Sequence, residues 1–286
     1  MCGFAGIISN KSDSVSKVDK MSSLIKHRGP DSKGSYSDGK IAMSFRRLSI
    51  IDLSEMGSQP MIINDHVITF NGEIYNYNEL RTSLEKNGFT FKSSSDTEVL
   101  LKSYIFWGKN MLKKIKGMFA FAIWDSQKQK LFMARDHFGK KPLYYSNNGN
   151  ELIFCSEINP IHKALVSKSN IDQTSLINYL IKGYYDRSKT IYENIFTLDA
   201  GQYAIYDFKS NILSINTYWK SQFNITFSQS NIDNDIQNTN EALNIAIQRR
   251  YESDVPVGIA LSGGIDSSLI AVKSADIIAN KINTYS

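Results

Sequence analysis

The chain has 286 residues, of which 42% are hydrophobic and 21% are charged, a balance that excludes an intrinsically disordered protein. Its net charge of +5 comes mostly from single lysines without a dense Lys/Arg run, so we expect neither a nucleic-acid nor a membrane partner. No apolar run approaches the ~18 residues of a membrane span and no basic signal region opens the chain, which predicts a cytoplasmic protein. With only Cys2 and Cys155, a disulfide framework is not expected.

The region before Trp219 alternates short apolar runs with turn-forming residues, which predicts a sheet-rich fold. Each run is rich in β-branched or aromatic residues and is bounded by Gly, Asn, Asp or Ser. The predicted strands are Phe4–Ser9, Ile41–Leu48, Val67–Phe70, Met118–Trp124, Lys130–Arg135, Leu143–Ser146 and Glu151–Ser156. The predicted helices are Val18–Lys26, Asn78–Asn87 and Thr97–Trp107. Sheets with helices at their faces predict an α+β layered domain.

Two local motifs in this region predict a hairpin and a helix start. Asn148-Gly149 separates the last two strands and favours a type I′ turn, because both positions of that turn need positive φ. Ser95-Asp96-Thr97-Glu98 opens the third helix and fits a capping box, in which the Ser95 and Glu98 side chains each bind the other's backbone N–H.

The composition changes after Trp219. Residues 220–240 are rich in Ser, Asn, Gln and Asp, which predicts a linker. The elements predicted beyond it are a helix over about Asn238–Arg250, a buried strand at Val257–Leu261, a Gly-rich loop at Ser262–Ser268, a helix through Ala279 and a strand from Ile282. Strand–loop–helix–strand is the beginning of a parallel α/β domain. We therefore expect a first domain over 2–215, a linker over 216–237 and a second domain over 238–286.

Cys2 offers chemistry that exists only at a chain end. Removal of Met1, which is expected because Cys2 is small, leaves an α-amino group on the same residue as the thiol. Such an amine has a reference pKa of ~7.7–8.0, so a useful fraction is neutral near pH 7 and accepts the thiol proton. Thiolate attack on a carboxamide then gives a tetrahedral oxyanion, which needs hydrogen-bond donors held in place beforehand.

Asn71-Gly72-Glu73 follows the apolar strand Val67–Phe70 and can supply those donors. Asn71 offers a side-chain amide. Gly72 offers a backbone N–H that a substrate approaches closely, because no Cβ intervenes. Taken alone, the local sequence favours an ordinary Asn-Gly turn.

Six short motifs together give the strongest signal in the sequence. They are Met1-Cys2-Gly3, His27-Arg28-Gly29-Pro30-Asp31, Arg46-Arg47-Leu48-Ser49-Ile50-Ile51-Asp52, Phe70-Asn71-Gly72-Glu73-Ile74-Tyr75-Asn76, Ser95-Asp96-Thr97-Glu98, and Ala134-Arg135-Asp136 leading to Gly139-Lys140-Lys141-Pro142-Leu143-Tyr144. In this order they resemble the class II glutamine amidotransferases, and most closely the glutamine-hydrolysing asparagine synthetases. The similarity runs over essentially the whole chain.

The resemblance implies a fold and a catalytic group for the first domain. The fold is the αββα sandwich of the N-terminal-nucleophile hydrolases. Cys2 would be the nucleophile, and Asn71 with Gly72 would form the oxyanion hole.

The resemblance also implies a pocket for the head group of glutamine. Arg47 would bind the α-carboxylate, since a guanidinium meets a carboxylate through two parallel hydrogen bonds. Asp96 and Glu73 would bind the α-ammonium, and the chain at Leu48 and Ile51 would complete the pocket. Taken alone, Arg47 also fits a surface ion pair and Asp96 a helix cap.

Three further features are interpreted as structural rather than chemical. His27 lies in a motif that forms a supporting turn in the family, where the Cys2 amine already serves as base. Cys155 and the run Phe119–Trp124 are expected in the core.

Residues 257–268 are an apolar strand, a small-residue loop and a helix start. Adjacent glycines let backbone N–H groups converge and the helix adds its positive end, so the loop suits a phosphate group. It is neither a Walker A loop nor a G-x-G-x-x-G fingerprint. It resembles the Ser-Gly-Gly-x-Asp-Ser loop of the ATP pyrophosphatases, whose fold the second domain would begin. The resemblance implies ATP binding by Leu261, Ser262, Gly263, Gly264, Asp266 and Ser267, with Asp266 helping to hold Mg²⁺.

The implied reaction has two halves. The first domain would hydrolyse glutamine to glutamate and ammonia. The second would use Mg-ATP to activate a carboxylate, aspartate in the most similar family, which ammonia then amidates. Because the synthetase domain of the family is longer than the stretch ending at Ser286, we expect only the glutaminase half to be complete.

Other functions stay open at this point. Glucosamine-phosphate synthases and phosphoribosylpyrophosphate amidotransferases share the glutaminase half, but the loop Ser262–Ser268 argues against both. An amidotransferase of polysaccharide or secondary-metabolite biosynthesis with another acceptor is one alternative, and a non-catalytic remnant that keeps Met1 is another. A homodimer is compatible with the sequence.

Overall fold

The computed structural model describes residues 1–165, 169–221, 232–278 and 282–286. The chain divides into two compact units, Met1–Lys220 and Ser221–Ser286. Of the predicted linker, 216–237, residues 222–231 lie outside the described residues, while Thr217 ends a strand and a helix begins at Ile232. The exact domain boundaries stay a prediction.

The described part of the first unit contains two antiparallel sheets and five helices. Its strands are β1 (Gly3–Ser9), β2 (Ser32–Ser37), β3 (Ile41–Arg47), β4 (Met61–Ile63), β5 (His66–Ile74), β6 (Gly117–Asp125), β7 (Lys130–Arg135), β8 (Tyr144–Asn147), β9 (Glu151–Cys155), β10 (Phe196–Thr197), β11 (Gln202–Asp207) and β12 (Ile212–Thr217). Its helices are α1 (Ser14–Leu24), α2 (Tyr77–Glu85), α3 (Asp96–Trp107), α4 (Ile158–Ala164) and α5 (Gln173–Lys182). The strand orders are β10-β8-β9-β1-β3-β2 and β12-β11-β7-β6-β5-β4.

Alternating side chains build three apolar layers in this unit. In β1, Phe4 and Ile8 pack between the sheets, whereas Ala5 and Ile7 pack with residues of α1 and α4. The outer face of the second sheet is covered by α2 and α3. Two helical layers therefore enclose two stacked sheets, and the predicted αββα sandwich is confirmed. The predicted core positions Cys155 and Phe119–Trp124 are buried, which is also confirmed.

The strands that sequence reasoning missed lie mainly at sheet edges. β2 and β12 are edge strands with largely exposed side chains, so they show no buried apolar face. β4, β10, β11, α4 and α5 were also not predicted, and α1 begins at Ser14 rather than Val18. The seven predicted strands and three predicted helices are all present; Lys130–Arg135 has the predicted bounds and the others differ at one or both ends.

The strand that carries Asn71 is longer than predicted. β5 continues to Ile74 and pairs with β6, so that Asn71 opposes Ala120 and Gly72 opposes Phe119. The reading of Asn71-Gly72 as a turn, and as residues beyond the strand end, is therefore wrong. The extension exists because β6 offers a partner along its whole length, which the sequence of β5 alone does not reveal.

The start of α3 confirms Ser95 as the N-cap but not the predicted capping box. The Ser95 Oγ accepts the Thr97 N–H at 3.1 Å rather than the Glu98 N–H. The Ser95 N–H donates to Ser93 Oγ rather than to Glu98, so the reciprocal pair of bonds is wrong. The Glu98 carboxylate instead accepts the N–H groups of Lys92 and Ser93, at 3.0 and 2.7 Å, and fixes the preceding loop.

The described part of the second unit contains α6 (Ile232–Arg250), β13 (Gly258–Ala260), α7 (Ile265–Ile277) and β14 (Asn283–Tyr285). β13 and β14 are parallel, so the predicted strand–loop–helix–strand order is confirmed. α7 begins at Ile265, and the Gly-rich loop is therefore shorter than the predicted Ser262–Ser268; the predicted helix end at Ala279 lies outside the described residues. Within the described ranges, no helix has the length and hydrophobicity needed to cross a bilayer.

Candidate active site

One cavity of the first unit collects all the residues predicted for glutamine hydrolysis. With Met1 in place it has a volume of about 60 Å³. Its lining includes Cys2, Arg47, Leu48, Ile51, Asn71, Gly72, Glu73 and Asp96. They meet because Cys2 precedes β1, Arg47 ends β3, Asn71 to Glu73 lie in β5, and Asp96 begins α3.

The thiol of Cys2 lies against the backbone of Leu48. The Leu48 N–H donates to Cys2 Sγ at 3.3 Å, and the Leu48 carbonyl lies 3.4 Å from the same sulfur. The Cys2 carbonyl accepts a hydrogen bond from Arg28 Nε at 2.9 Å, which anchors the chain on the other side of the residue. Burial raises the pKa of the Cys2 thiol, while the Leu48 N–H, the chain-end amine and the Lys141 ammonium act in the opposite direction.

The α-amino group at the chain end lies in the same electrostatic environment. In the structure this amine belongs to Met1, and burial lowers its pKa from the ordinary value of 8.0. The positive charges of Arg28 and Lys141 lower it further, whereas Cys2 and Asp31 oppose the shift. An amine in this position is therefore easier to deprotonate than one in water.

Asn71 places an unpaired donor in the cavity wall. The residue is 1% exposed, and its Nδ2 has no hydrogen-bond partner among the residues that the structure describes. A buried amide without a partner costs roughly 1–3 kcal/mol, so such groups are rare in folded proteins. A donor left free in this way is suited to a substrate oxygen.

Gly72 has a backbone that only glycine accommodates. Its φ is +155°, and a Cβ there would lie 2.1 Å from the Met118 carbonyl oxygen and 2.7 Å from Phe119 Cα. The close approach of β6 to β5 beside Asn71 therefore depends on the absence of a side chain at this position.

Arg47 is a buried member of the cavity wall rather than a surface ion-pair partner. It is 7% exposed, and its Nη1 donates to the Ser54 carbonyl at 2.8 Å while Nη2 donates to the Asp52 carbonyl. Gly57 makes room for the guanidinium, because a Cβ on Gly57 would lie 2.3 Å from Nη2. The loop 52–57 thus fixes the orientation of this cation.

Glu73 and Asp96 bring two carboxyl groups to the same cavity. Asp96 is 5% exposed and its Oδ2 accepts the Ile74 N–H at 3.0 Å, so it is not the helix cap. Burial raises its pKa to about 7, and the Glu73 charge adds to that rise. Burial also raises the pKa of Glu73, against the attraction of Lys141. Two crowded carboxyl groups of this kind favour a bound cation, which would relieve their repulsion.

Gln59 and Lys141 are among the cavity residues that were not identified from the sequence. The Gln59 amide accepts the Phe70 N–H at 2.6 Å and donates to Thr97 Oγ1 at 3.2 Å, so it connects β5 to α3. No spacing or motif signals this role for Gln59. Lys141 does lie in one of the six motifs, but nothing in its sequence separates it from the neighbouring Lys140.

His27 and Cys155 lie outside the cavity lining. The His27 side chain is 64% exposed and its Nε2 lies 2.8 Å from Glu157 Oε1, a contact consistent with a supporting turn. Cys155 is fully buried, and burial raises the pKa of its thiol to about 12, which leaves it unreactive near neutral pH.

The six residues predicted for ATP binding surround the N-terminus of α7. Leu261 to Gly264 precede the helix, and Asp266 and Ser267 lie in its first turn. The Ser262 and Ser267 hydroxyls lie 3.1 Å apart. Gly263 has a φ of +79° and open space around its Cα, so a phosphate group fits against the loop. No cluster of three potential metal ligands occurs among the described residues, and Asp266 would supply one carboxylate to a Mg²⁺ ion held mainly by phosphates.

Comparison with known proteins gives consistent matches. Residues 1–219 match a family described as a glutamine amidotransferase domain, and residues 238–286 match an asparagine synthase family. Asparagine synthetase [glutamine-hydrolyzing] 1 of Bacillus subtilis is 39% identical over 94% of the chain, and putative asparagine synthetase [glutamine-hydrolyzing] 2 of Methanocaldococcus jannaschii is 36% identical over 100% of it. The chain spans 43% and 59% of the lengths of these two relatives.

The fold comparison agrees with the layer arrangement. A solved glutamine phosphoribosylpyrophosphate amidotransferase from B. subtilis, complexed with ADP and GMP, superposes with a TM-score of 0.57 at 19% identity. The match covers 99% of this chain and 65% of that one. At this identity the likeness concerns the fold alone.

Proposed function

Because the chain belongs to the glutamine amidotransferase domain family, we propose that it hydrolyses glutamine to glutamate and ammonia with Cys2 as the nucleophile. The observation that supports this most is the unpaired, buried Asn71 amide in the same cavity as the Cys2 thiol. The cavity also contains a fixed guanidinium and two carboxyl groups. Glutamine carries a carboxylate and an ammonium on one carbon, so its head group complements these charges.

The reaction would begin with removal of Met1, which leaves the α-amine on Cys2. This amine takes the thiol proton, and the thiolate attacks the carboxamide carbon of glutamine. The carbonyl oxygen becomes an oxyanion, toward which Asn71 Nδ2 and the Gly72 N–H donate. When the intermediate collapses, the C–N bond breaks and ammonia leaves with the proton from the Cys2 ammonium. Water then hydrolyses the thioester to glutamate and restores the thiol.

The head group would be bound by residues on three elements. Arg47, at the end of β3, would bind the α-carboxylate. Glu73 in β5 and Asp96 in α3 would bind the α-ammonium, and Leu48 and Ile51 would form the remaining wall. Because the Arg47 and Asp96 side chains are held by hydrogen bonds to the backbone, they would orient glutamine with little loss of side-chain freedom.

Glutaminase assays of two cysteine variants test this proposal. Cys2→Ala is expected to release no glutamate above background, because no other accessible thiol lines the cavity in the described part of the chain. Cys155→Ala, the matched control, should keep the wild-type rate once its folding is verified by circular dichroism. Equal turnover by wild type and Cys2→Ala would refute Cys2 as the nucleophile.

We further propose that ammonia amidates a carboxylate activated by Mg-ATP, with aspartate as the acceptor, as the names of the two relatives indicate for those proteins. The residues at the start of α7 would hold the phosphates, and Asp266 the magnesium ion. Calorimetric titration with Mg-ATP tests the binding half of this proposal. Gly263→Val should weaken binding at least tenfold, whereas Cys2→Ala should leave it unchanged; equal affinities in all three proteins would refute the assignment.

We also propose a cytoplasmic location and a homodimer, neither of which is argued from contacts within the structure. Cell fractionation tests the first. Sedimentation velocity tests the second, and a monomer at micromolar concentration would contradict it.

A further inference from the structure

Lys141 is a buried cation in the Cys2 cavity that the proposed mechanism does not use. The residue is 8% exposed, and its Nζ lies 3.6 Å from Met1 Sδ. The sulfur of a thioether is a weak hydrogen-bond acceptor, so this contact does little to neutralise the positive charge of the ammonium. Removal of Met1 would take the contact away and leave the ammonium facing the new chain end.

The loop that carries Lys141 is held rigidly. The Asp136 carboxylate accepts the Lys141 N–H at 2.9 Å and the Lys140 N–H at 3.0 Å. Arg135 Nε donates to the Lys141 carbonyl at 2.8 Å, and Arg135 Nη2 donates to the Gly139 carbonyl at 2.7 Å. These bonds turn Lys141 into the cavity while Lys140 stays exposed. The Arg135-Asp136 part of the sixth motif therefore orients one of two adjacent lysines.

The charges around Lys141 come from several elements. Glu73 of β5, the Cys2 thiol and Asp136 favour its charged form, whereas burial and the guanidinium of Arg28 disfavour it and lower its pKa. Glu73 and Cys2 line the cavity together with Lys141, and their charges act on it. In return, the Lys141 charge acts to lower the pKa of the Cys2 thiol and of the Met1 amine, which is the chain end in the structure.

We propose, on the basis of the glutaminase function above, that Lys141 is a positioning residue whose ammonium promotes the loss of one proton from Cys2 and so maintains its nucleophilic form near neutral pH. A nearby positive charge stabilises the thiolate and destabilises the protonated amine, so it acts in the same direction on both groups. The thiol and the amine of Cys2 titrate as a coupled pair. The Lys141 charge therefore lowers the apparent pKa at which this pair loses its first proton. Lys141 itself forms no bond to substrate and transfers no proton.

The pH dependence of Cys2 alkylation by iodoacetamide tests this inference without any need for glutaminase turnover. Lys141→Met should move the midpoint upward by about one pH unit and slow alkylation at pH 7 roughly tenfold. Lys141→Arg should restore most of the rate, because it restores the charge. Lys140→Met is the matched control, with an exposed lysine at the adjacent position, and should behave as wild type. Intact mass must show Cys2 at the N-terminus of each protein.

The outcomes separate this inference from the proposed function. The proposed role of Lys141 is contradicted if the alkylation midpoint is unchanged in folded Lys141→Met, or if Lys140→Met shows an equal shift. If Lys141→Met does not fold, Lys141→Gln gives the same comparison. A higher KM for glutamine with an unchanged alkylation profile would mean that Lys141 acts on substrate binding through Glu73. That result would also contradict the proposed role of Lys141. A shifted alkylation profile in a protein that never hydrolyses glutamine supports Lys141 while the proposed function fails.

Discussion

Asn71 illustrates how a single residue can be costly for folding and useful for catalysis. Its buried Nδ2 makes no hydrogen bond to the described part of the protein, so burying this donor destabilises the folded state. The benefit would appear during catalysis, when Nδ2 donates a hydrogen bond to the oxyanion that forms from the carbonyl oxygen of bound glutamine. The two contributions can be separated because one concerns stability and the other kcat.

Replacing Asn71 by Leu should therefore lower kcat by ~10²–10³ while leaving the melting temperature nearly unchanged. The change removes the oxyanion donor and keeps a side chain of similar size, and the lost Nδ2 donor had no protein partner to leave unsatisfied. Steady-state glutaminase kinetics and thermal unfolding are the measurements. A wild-type kcat, or a large loss of stability at constant kcat, would show that Asn71 is structural.

Asp96 should make glutamine binding depend on pH. Burial and the neighbouring Glu73 place its pKa at about 7 in the free protein, so it is largely neutral below that value. A neutral carboxyl group binds an ammonium poorly, and KM for glutamine should rise as the pH falls through 7. KM measured over a pH series tests this, and in Asp96→Asn it should be high and nearly independent of pH in this range.

The same variant provides a stability control with a definite sign. A carboxyl group whose folded pKa is raised above 3.8 favours folding below that value, and this stability is lost as the pH rises through about 7. Asn carries no proton to lose, so Asp96→Asn without glutamine should gain more melting temperature relative to wild type at pH 8 than at pH 5. The opposite order would mean that the Asp96 environment favours the carboxylate.

At the scale of elements, the interior strands were predictable and the edges were not. β1, β3, β6, β7 and β9 are buried, so their apolar residues mark them in the sequence. β2 has mostly exposed side chains and depends on its pairing with β3, which no local pattern reveals. Near the end of β5, Asn71 and Glu73 are polar because they line the cavity, whereas Ile74 packs in the apolar core.

The site residues that the sequence predicted lie in motifs resembling a known family in the same order. Cys2, Arg47 and Asp96 were identified because their motifs resemble a known family in the right order, and the structure brings them to one cavity. Lys141 was missed because the choice between two adjacent lysines depends on the hydrogen bonds of Asp136. Gln59 was missed because its partners lie in elements that are distant in sequence.

Gly72→Ala should destabilise the first unit by about 3 kcal/mol or more, because the new Cβ would meet the Met118 carbonyl and φ is positive. Gly39→Ala is the matched control, since Gly39 also has positive φ, +85°, but no atom lies within 4 Å of its ideal Cβ. It should lose only about 1 kcal/mol. Urea unfolding gives both values, and similar losses in the two variants would contradict the packing argument.

For the whole molecule, the sandwich explains why residues distant in sequence share one cavity. β1 and β5 lie in different sheets, and Asn71 points to the same face of β5 as Val67, which packs between the sheets. Cys2, just before β1, packs against the same inter-sheet core. Stacking the sheets therefore brings the thiol toward the amide at one end of the core.

Every residue lining this cavity belongs to Met1–Lys220. A chain ending at Lys220 should therefore keep the glutaminase kcat of the 286-residue chain within about twofold, provided that circular dichroism shows it to be folded. A folded fragment without activity would show that residues 221–286 contribute to hydrolysis.

The most direct test of the central claim, a Cys2 thiol that shares its residue with a free amine, is peptide mapping after reaction with a diazoketone analogue of glutamine. We expect an N-terminal peptide that begins with Cys2, carries one adduct on its sulfur, and accounts for the loss of glutaminase activity. An active protein that retains Met1, or inactivation with the adduct on Cys155, would contradict the account.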